Sequence, residues 1–103
     1  MNLQPKSEAH AQVFDRGVLL RQSMNDLGLA NEVLGLFLAQ LDALSRKEWS
    51  KLDLHFEMHT LKGSAATVGA LELEALARDW REIGPELQTR VMAAIKSFQG
   101  AAK

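Results

Sequence analysis

Residues 54–69 read LHFEMHTLKGSAATVG, and the spacing of their apolar side chains decides the fold class. These side chains recur every three or four residues, which is the period of one face of an α-helix. They are Leu54, Met58, Leu61, Ala65 and Val68. The pattern predicts a long helix that buries this seam, and Gly69 fits a C-terminal stop.

The flanking sequence predicts further helices of the same amphipathic kind. Leu, Ala, Glu, Lys, Arg and Gln dominate, and these residues favour helices. Residues 25–28 read as a turn, and Gly84-Pro85 as a break. In chain order, helices are expected at about 15–23, from a cap near Asn31 to about 44, and at about 47–68, 70–83 and 85–98. The prediction is an all-α fold, an antiparallel up-and-down four-helix bundle with a short additional N-terminal helix.

Composition limits the domain organisation and the classes of partner. A chain of 103 residues suggests one domain, expected at 11–103 after a flexible polar lead-in at 1–10. The net charge is −1 without a basic block, which gives no support to nucleic-acid binding. There is no cysteine, so disulfide and thiolate chemistry are excluded.

Membrane and export signals are not expected in this sequence. No apolar run approaches the roughly 20 residues that span a bilayer, and the first residues are too polar for a signal peptide. A cytoplasmic location is therefore predicted. The same sequence fits equally well a domain cut from a larger membrane sensor.

One histidine stands out on the predicted third helix. With about 100° per residue, His59 lies roughly 140° from the centre of the apolar seam and should be exposed. Lys62 and Gly63 follow three and four residues later, so they share its side of the helix. A mid-helix glycine costs on the order of 1 kcal/mol relative to alanine, and open space beside His59 would supply a reason for it.

These residue types suit reversible phosphoryl transfer. A neutral imidazole is a nucleophile, and a lysine ammonium can pair with phosphoryl oxygens. No glycine-rich phosphate loop, acidic metal cluster or Ser-His-Asp pattern accompanies them. Simpler interpretations remain open from the residues alone: a solvated surface histidine and lysine, a glycine that permits helix packing, or a metal pair formed by His55 and His59. Because no third ligand is evident at fixed spacing, no metal is predicted.

At this point the sequence resembles the histidine-containing phosphotransfer (HPt) domain family. The resemblance is carried by His59-Thr60-Leu61-Lys62-Gly63-Ser64-Ala65-Ala66 followed by Gly69-Ala70. It extends to Val13-Phe14-Asp15-Arg16 with Val18-Leu19-Leu20, and to Glu32-Val33-Leu34 with Leu36-Phe37-Leu38. With the helix pattern around them, these segments extend the resemblance over residues 13 to about 83, a context that strengthens the motif match.

The resemblance implies a phosphorelay intermediate, with His59 as the phosphoacceptor. Lys62 would stabilise the phosphoryl group, and Gly63 would clear room for a receiver domain. The phosphoryl group would come from the aspartate of one receiver domain and pass to the aspartate of another. These receivers would belong to a hybrid histidine kinase, a response regulator or both. The protein would be a carrier without an ATP site or cofactor, and the divalent metal would belong to the receiver. The expected docking residues are Leu36, Leu52, His55 and Ala66.

Two functions of different class follow from the sequence. The first is a monomeric phosphohistidine carrier. The second is a helical adaptor or inhibitor that binds a receiver domain or a histidine kinase and carries no phosphoryl group. His59 discriminates between them, because an adaptor has no need of a nucleophilic imidazole.

Overall fold

The computed structural model describes residues 12–103, and every regular element in that range is a helix. The predicted all-α class is confirmed, whereas the antiparallel up-and-down order stays a prediction. The lead-in at 1–10 lies outside the described residues. The helices are α1 (Arg16–Gln22), α2 (Leu27–Ser45), α3 (Leu54–Val68), α4 (Leu71–Arg78), α5 (Trp80–Ile83) and α6 (Leu87–Ala101), with single 3-10 turns at Trp49–Lys51 and Gly84–Glu86.

The central helix α3 buries the predicted seam. Met58, Leu61 and Ala65 are fully buried, and Val68 is nearly so, while Leu54 at the first turn is half-buried. Helices α1, α2 and α4 all pack against α3. Helix α6 packs against α2 and α4 and completes the core. Burying a leucine- or methionine-sized side chain contributes about 1.5–3 kcal/mol, so this seam fixes the position of α3 in the molecule.

The start of α2 differs from the prediction. Asp26, rather than Asn31, caps the helix, and its Oδ1 accepts a hydrogen bond from the Leu29 amide at 3.0 Å. The preceding turn holds Met24 and Asn25 at φ of 57° and 60°. The first amides of a helix have no partner within the helix, and the Asp26 side chain supplies one. This bond stabilises a helix that starts at Leu27, although Gly28 favours a turn.

The predicted third helix begins later than expected. Residues 49–51 form a separate 3-10 turn in which Trp49 is buried, and Asp53 then caps α3 by accepting from the Phe56 amide at 3.2 Å. The predicted fourth helix is likewise divided at Asp79. Aspartate hydrogen-bonds its own neighbourhood and favours caps over helix interiors, which accounts for the break before Leu54. The Asp79 carboxylate makes no capping bond and instead accepts from Arg78 Nε at 3.2 Å.

Gly69 ends α3 and joins it to the start of α1. Its φ of 81° is left-handed, and its carbonyl oxygen accepts from the Asp15 amide at 2.8 Å. A Cβ at this position would collide with the Asp15 carbonyl oxygen. Glycine is therefore required both by the backbone conformation and by the close approach of a second chain segment.

Helix α2 is long and apolar enough, by length and composition alone, to be a candidate membrane span. It has 19 residues and a mean hydropathy of 1.3, so the expectation that no apolar run comes near that length is wrong on this test. The core helix of a soluble domain passes the same test. Helix α2 contributes five buried side chains, Ala30, Leu34, Phe37, Leu41 and Leu44, so it gives only weak evidence of a span.

Candidate functional site

His59 lies on the exposed side of α3, opposite the buried seam. The imidazole is exposed, as the helical geometry predicts, while Met58 and Leu61 on either side of it in sequence are fully buried. Within residues 12–103 the His59 imidazole makes no hydrogen bond and no ion pair. Its nitrogens are thus open to solvent on a helix held at both ends, by the Asp53 cap and by Gly69.

Lys62 lies one helical turn after His59 and is half-buried. Among the described residues its ammonium takes part in no ion pair, unlike Lys47, which binds Glu57 at 3.0 Å, and Lys51, which lies 3.6 Å from Glu48. A long lysine side chain can rest its methylenes on the helix and keep its charge at the surface. An anionic group on His59 therefore meets a cation without a competing carboxylate partner.

Gly63 leaves open space beside His59. It is exposed in the middle of α3, and a Cβ added there would meet no atom within 4 Å. Close helix packing is therefore excluded as the reason for this glycine. The nearby hydroxyls of Ser64 and Thr67 donate to the Thr60 and Gly63 carbonyl oxygens, both at 3.1 Å, so they are engaged with the helix itself.

The predicted docking residues differ in exposure. Leu36 on α2 is 69% exposed, and His55 on α3 is also exposed, whereas Leu52 and Ala66 are half-buried. Of these, His55 and Ala66 share the His59 side of α3 by helical geometry. Within residues 12–103 no group of three or more His, Cys, Asp or Glu is arranged to hold a metal ion.

Phe56 is a further exposed side chain near His59 that the apolar periodicity does not single out. This aromatic side chain is 63% exposed and precedes His59 by three residues, so the two are neighbours on α3. The signal was available, because Phe56 falls roughly 160° from the centre of the seam by the same helical geometry. It does not recur with the seam residues, so the apolar periodicity alone does not mark it.

The His59 surface is open rather than enclosed. Two grooves occur elsewhere in the described part of the chain, one between α4 and α6 and one beside Phe14 and Ala101. Neither includes His59, Lys62 or Gly63. An exposed helix face of this kind suits a macromolecular partner better than a small substrate, which usually needs a concave site.

Comparison with protein-family models decides the family. The model of the Hpt domain matches residues 16–97, which run from the first residue of α1 into the last turns of α6. The chain belongs to the Hpt domain family. The match to this Hpt domain therefore extends into its final helix, α6, whereas the resemblance seen in the sequence ends at about residue 83. Comparison with curated proteins and with solved structures finds no match.

Membership of the family establishes the general role of this Hpt domain. Hpt domains act in phosphotransfer within two-component signalling and interact with receiver domains of kinases or response regulators. They are phosphocarriers rather than enzymes with their own ATP site. The predictions of a two-component role and of an all-α Hpt domain are confirmed at this level.

Proposed function

We propose that this Hpt domain accepts a phosphoryl group on His59 from the aspartate of one receiver domain and passes it to the aspartate of another. The observation on which this proposal rests is that the His59 imidazole is exposed and makes no hydrogen bond or ion pair with another described residue. Its helix, α3, is held in place by its buried seam. Lys62 and Gly63 support the proposal with an available cation and an open approach. The match to the Hpt family supports a donor and an acceptor that are both receiver domains.

The transfer step needs only the imidazole of this chain as nucleophile. A neutral ring nitrogen attacks phosphorus, an N–P bond forms, and the O–P bond to the aspartate breaks with its electron pair left on the carboxylate. The onward step is the reverse, with a second carboxylate as nucleophile. Lys62 offsets the charge on the phosphoryl oxygens in both steps, and the divalent metal is expected on the receiver.

We further propose that the receiver covers the exposed side of α3 together with α2, through Leu36, Leu52, His55 and Ala66. Leu36 supports this because it is a large exposed leucine on a helix that packs on α3. A monomer that leaves His59 accessible is expected, in the cytoplasm, without nucleic acid. The use of the apolar face of α2 in the core favours that location over a membrane.

The test of this proposal is incubation with a receiver domain that carries phosphoryl on its aspartate. The carrier function predicts a label on this chain that is acid-labile and base-stable, and its loss when a second, unphosphorylated receiver is added. A complex between receiver and unlabelled chain would instead establish the adaptor function. The two outcomes are separated by electrophoresis under denaturing conditions at alkaline pH.

Replacing Lys62 by alanine should slow transfer in either direction by about 10- to 100-fold, because one positive charge near the transferring oxygens is lost. Because Lys62 is only half-buried, we expect a decrease in rate near the lower end of that range. Lys96→Ala, an exposed lysine on α6, is the matched control and should leave the rate unchanged. Rapid-quench measurement of the phosphorylated chain checks both. Equal transfer rates for the two variants would show that Lys62 is only a solvated surface charge.

Replacing Gly63 by glutamine should change folding and docking in opposite directions. Glutamine favours helix over glycine, so the free energy of unfolding should rise by about 0.5–1 kcal/mol. The same side chain fills the open space beside His59, so receiver affinity should fall by about 10-fold or more. Urea unfolding and calorimetric titration measure the two effects. Gly100→Gln on α6 also meets open space and should keep full affinity; unchanged affinity in Gly63→Gln would refute the clearance role.

A further inference from the structure

The position of Phe56 opposes the local preferences of α3. Phe56 is the third residue of the helix, directly above the Asp53 cap that accepts from its amide. Glutamate or glutamine is favoured there, because either side chain can bond back to the cap residue, and glutamate also complements the positive end of the helix dipole. The sequence instead places a phenylalanine that is 63% exposed.

The core offers no reason for this residue. Aromatic contacts among the described residues join Phe14 and Phe37 to Phe98, with ring centroids 4.8 and 5.2 Å apart, and Phe56 takes part in none. It also lies outside the set of residues that form or line the core. A residue that breaks a local rule without a structural gain is expected where function requires it.

The His59 surface has two unlike flanks, and Phe56 defines one of them. Counting about 100° per residue from His59, Phe56 and Gly63 lie roughly 40–60° to one side. Lys62 and His55 lie roughly 40–60° to the other side by the same geometry. One flank is therefore apolar and open, and the opposite flank carries the ammonium and a second imidazole.

We infer that Phe56 is an apolar anchor that the receiver domain covers when it docks over His59. This inference rests on the proposed phosphotransfer function and names a further docking residue for it. The receiver presents an apolar patch over the Phe56–Gly63 flank, and the charged phosphoryl faces the Lys62 flank. Aromatic residues, phenylalanine included, are enriched at protein interfaces, and an aromatic side chain buries about 150–250 Å² when covered.

The variant Phe56→Gln tests the inference without weakening the fold. Because glutamine suits the third helical position, the midpoint of thermal unfolding should stay unchanged or rise. Phosphoryl transfer from the receiver at subsaturating concentration should fall about 10-fold or more, through weaker binding rather than slower chemistry. Phe56→Leu keeps an apolar side chain and should retain most of the transfer. Met24→Gln removes an apolar side chain that is 84% exposed at the α1–α2 turn and serves as control.

A small phosphodonor separates this inference from the function on which it rests. Phosphoramidate labels an accessible imidazole without docking, so it should label wild type and Phe56→Gln at equal rates. Equal transfer from the receiver to wild type and Phe56→Gln, or an equal loss in Met24→Gln, would overturn the anchor role while His59 remains the acceptor. Failure of wild type to take label from either donor would overturn the phosphotransfer function itself.

Discussion

The variant His59→Gln should take no phosphoryl from a phosphorylated receiver domain. Glutamine approximates the size and polarity of imidazole, but its amide nitrogen is not nucleophilic. The label should therefore be lost completely rather than reduced, in contrast to the partial effects expected at Lys62 and Phe56. Electrophoresis of the labelled chain at alkaline pH measures this directly.

The same substitution should leave the fold intact. His59 is exposed, and within residues 12–103 it bonds to no other side chain, so unfolding free energy should change by less than about 0.5 kcal/mol. His55→Gln is the comparison variant: it removes a second exposed imidazole, one turn earlier on α3, that is proposed to contact the receiver, so labelling should slow without being lost. That variant should still be labelled. Retained label in His59→Gln, or loss of label only in His55→Gln, would place the acceptor elsewhere.

The variant Gly69→Ala should have the largest effect on stability. The left-handed φ of 81° costs a non-glycine residue about 1–2 kcal/mol. The added Cβ also collides with the Asp15 carbonyl oxygen, so α1 must move away from the end of α3. Overpacking of this kind typically costs a further 1–3 kcal/mol, which gives roughly 2–5 kcal/mol in all.

Thermal and urea unfolding measure that loss. For a domain of this size, a loss of roughly 2–5 kcal/mol corresponds to a fall of at least about 8 °C in Tm. Gly100→Ala is the control, because a Cβ there meets open space without a left-handed backbone. That variant should be neutral or slightly more stable. A loss below about 1 kcal/mol in Gly69→Ala would show that the contact between Gly69 and Asp15 relaxes easily.

The buried seam and the exposed histidine face could both be predicted from sequence, since helical periodicity fixes them together. Once Met58, Leu61 and Ala65 point inward, His59 must point outward on the same helix. Gly69 was also predictable, because a glycine after the last periodic residue is a common helix end. These features depend only on local geometry.

The starts of α2 and α3 were less predictable, because several polar residues compete to cap a helix. Asp26 and Asn31 both suit an N-cap, and only the structure shows that the Leu29 amide bonds to Asp26. Similarly, the burial of Trp49 separates a 3-10 turn from α3, and that burial depends on tertiary packing. Local propensity alone does not decide between such alternatives.

The docking surface was the least predictable part of the site. Periodicity places a leucine off the seam but does not say whether another element covers it. Leu36 is 69% exposed, whereas Leu38 and Leu52 are half-buried against the core cluster, although all three flank apolar faces. Phe56 shows the converse: helical geometry places it away from the seam, but an isolated apolar residue does not recur and so is not marked by periodicity.

The most direct test of the central claim is to locate the phosphoryl group on the wild-type domain. Phosphorus and nitrogen NMR of an isotopically labelled sample, after incubation with a phosphorylated receiver, identifies the modified nitrogen. The account predicts one phosphoryl group per chain, bonded to an imidazole nitrogen of His59, with His55 unmodified. Phosphoryl on any other side chain, or a stable receiver complex in which the His59 imidazole stays unmodified, would contradict it.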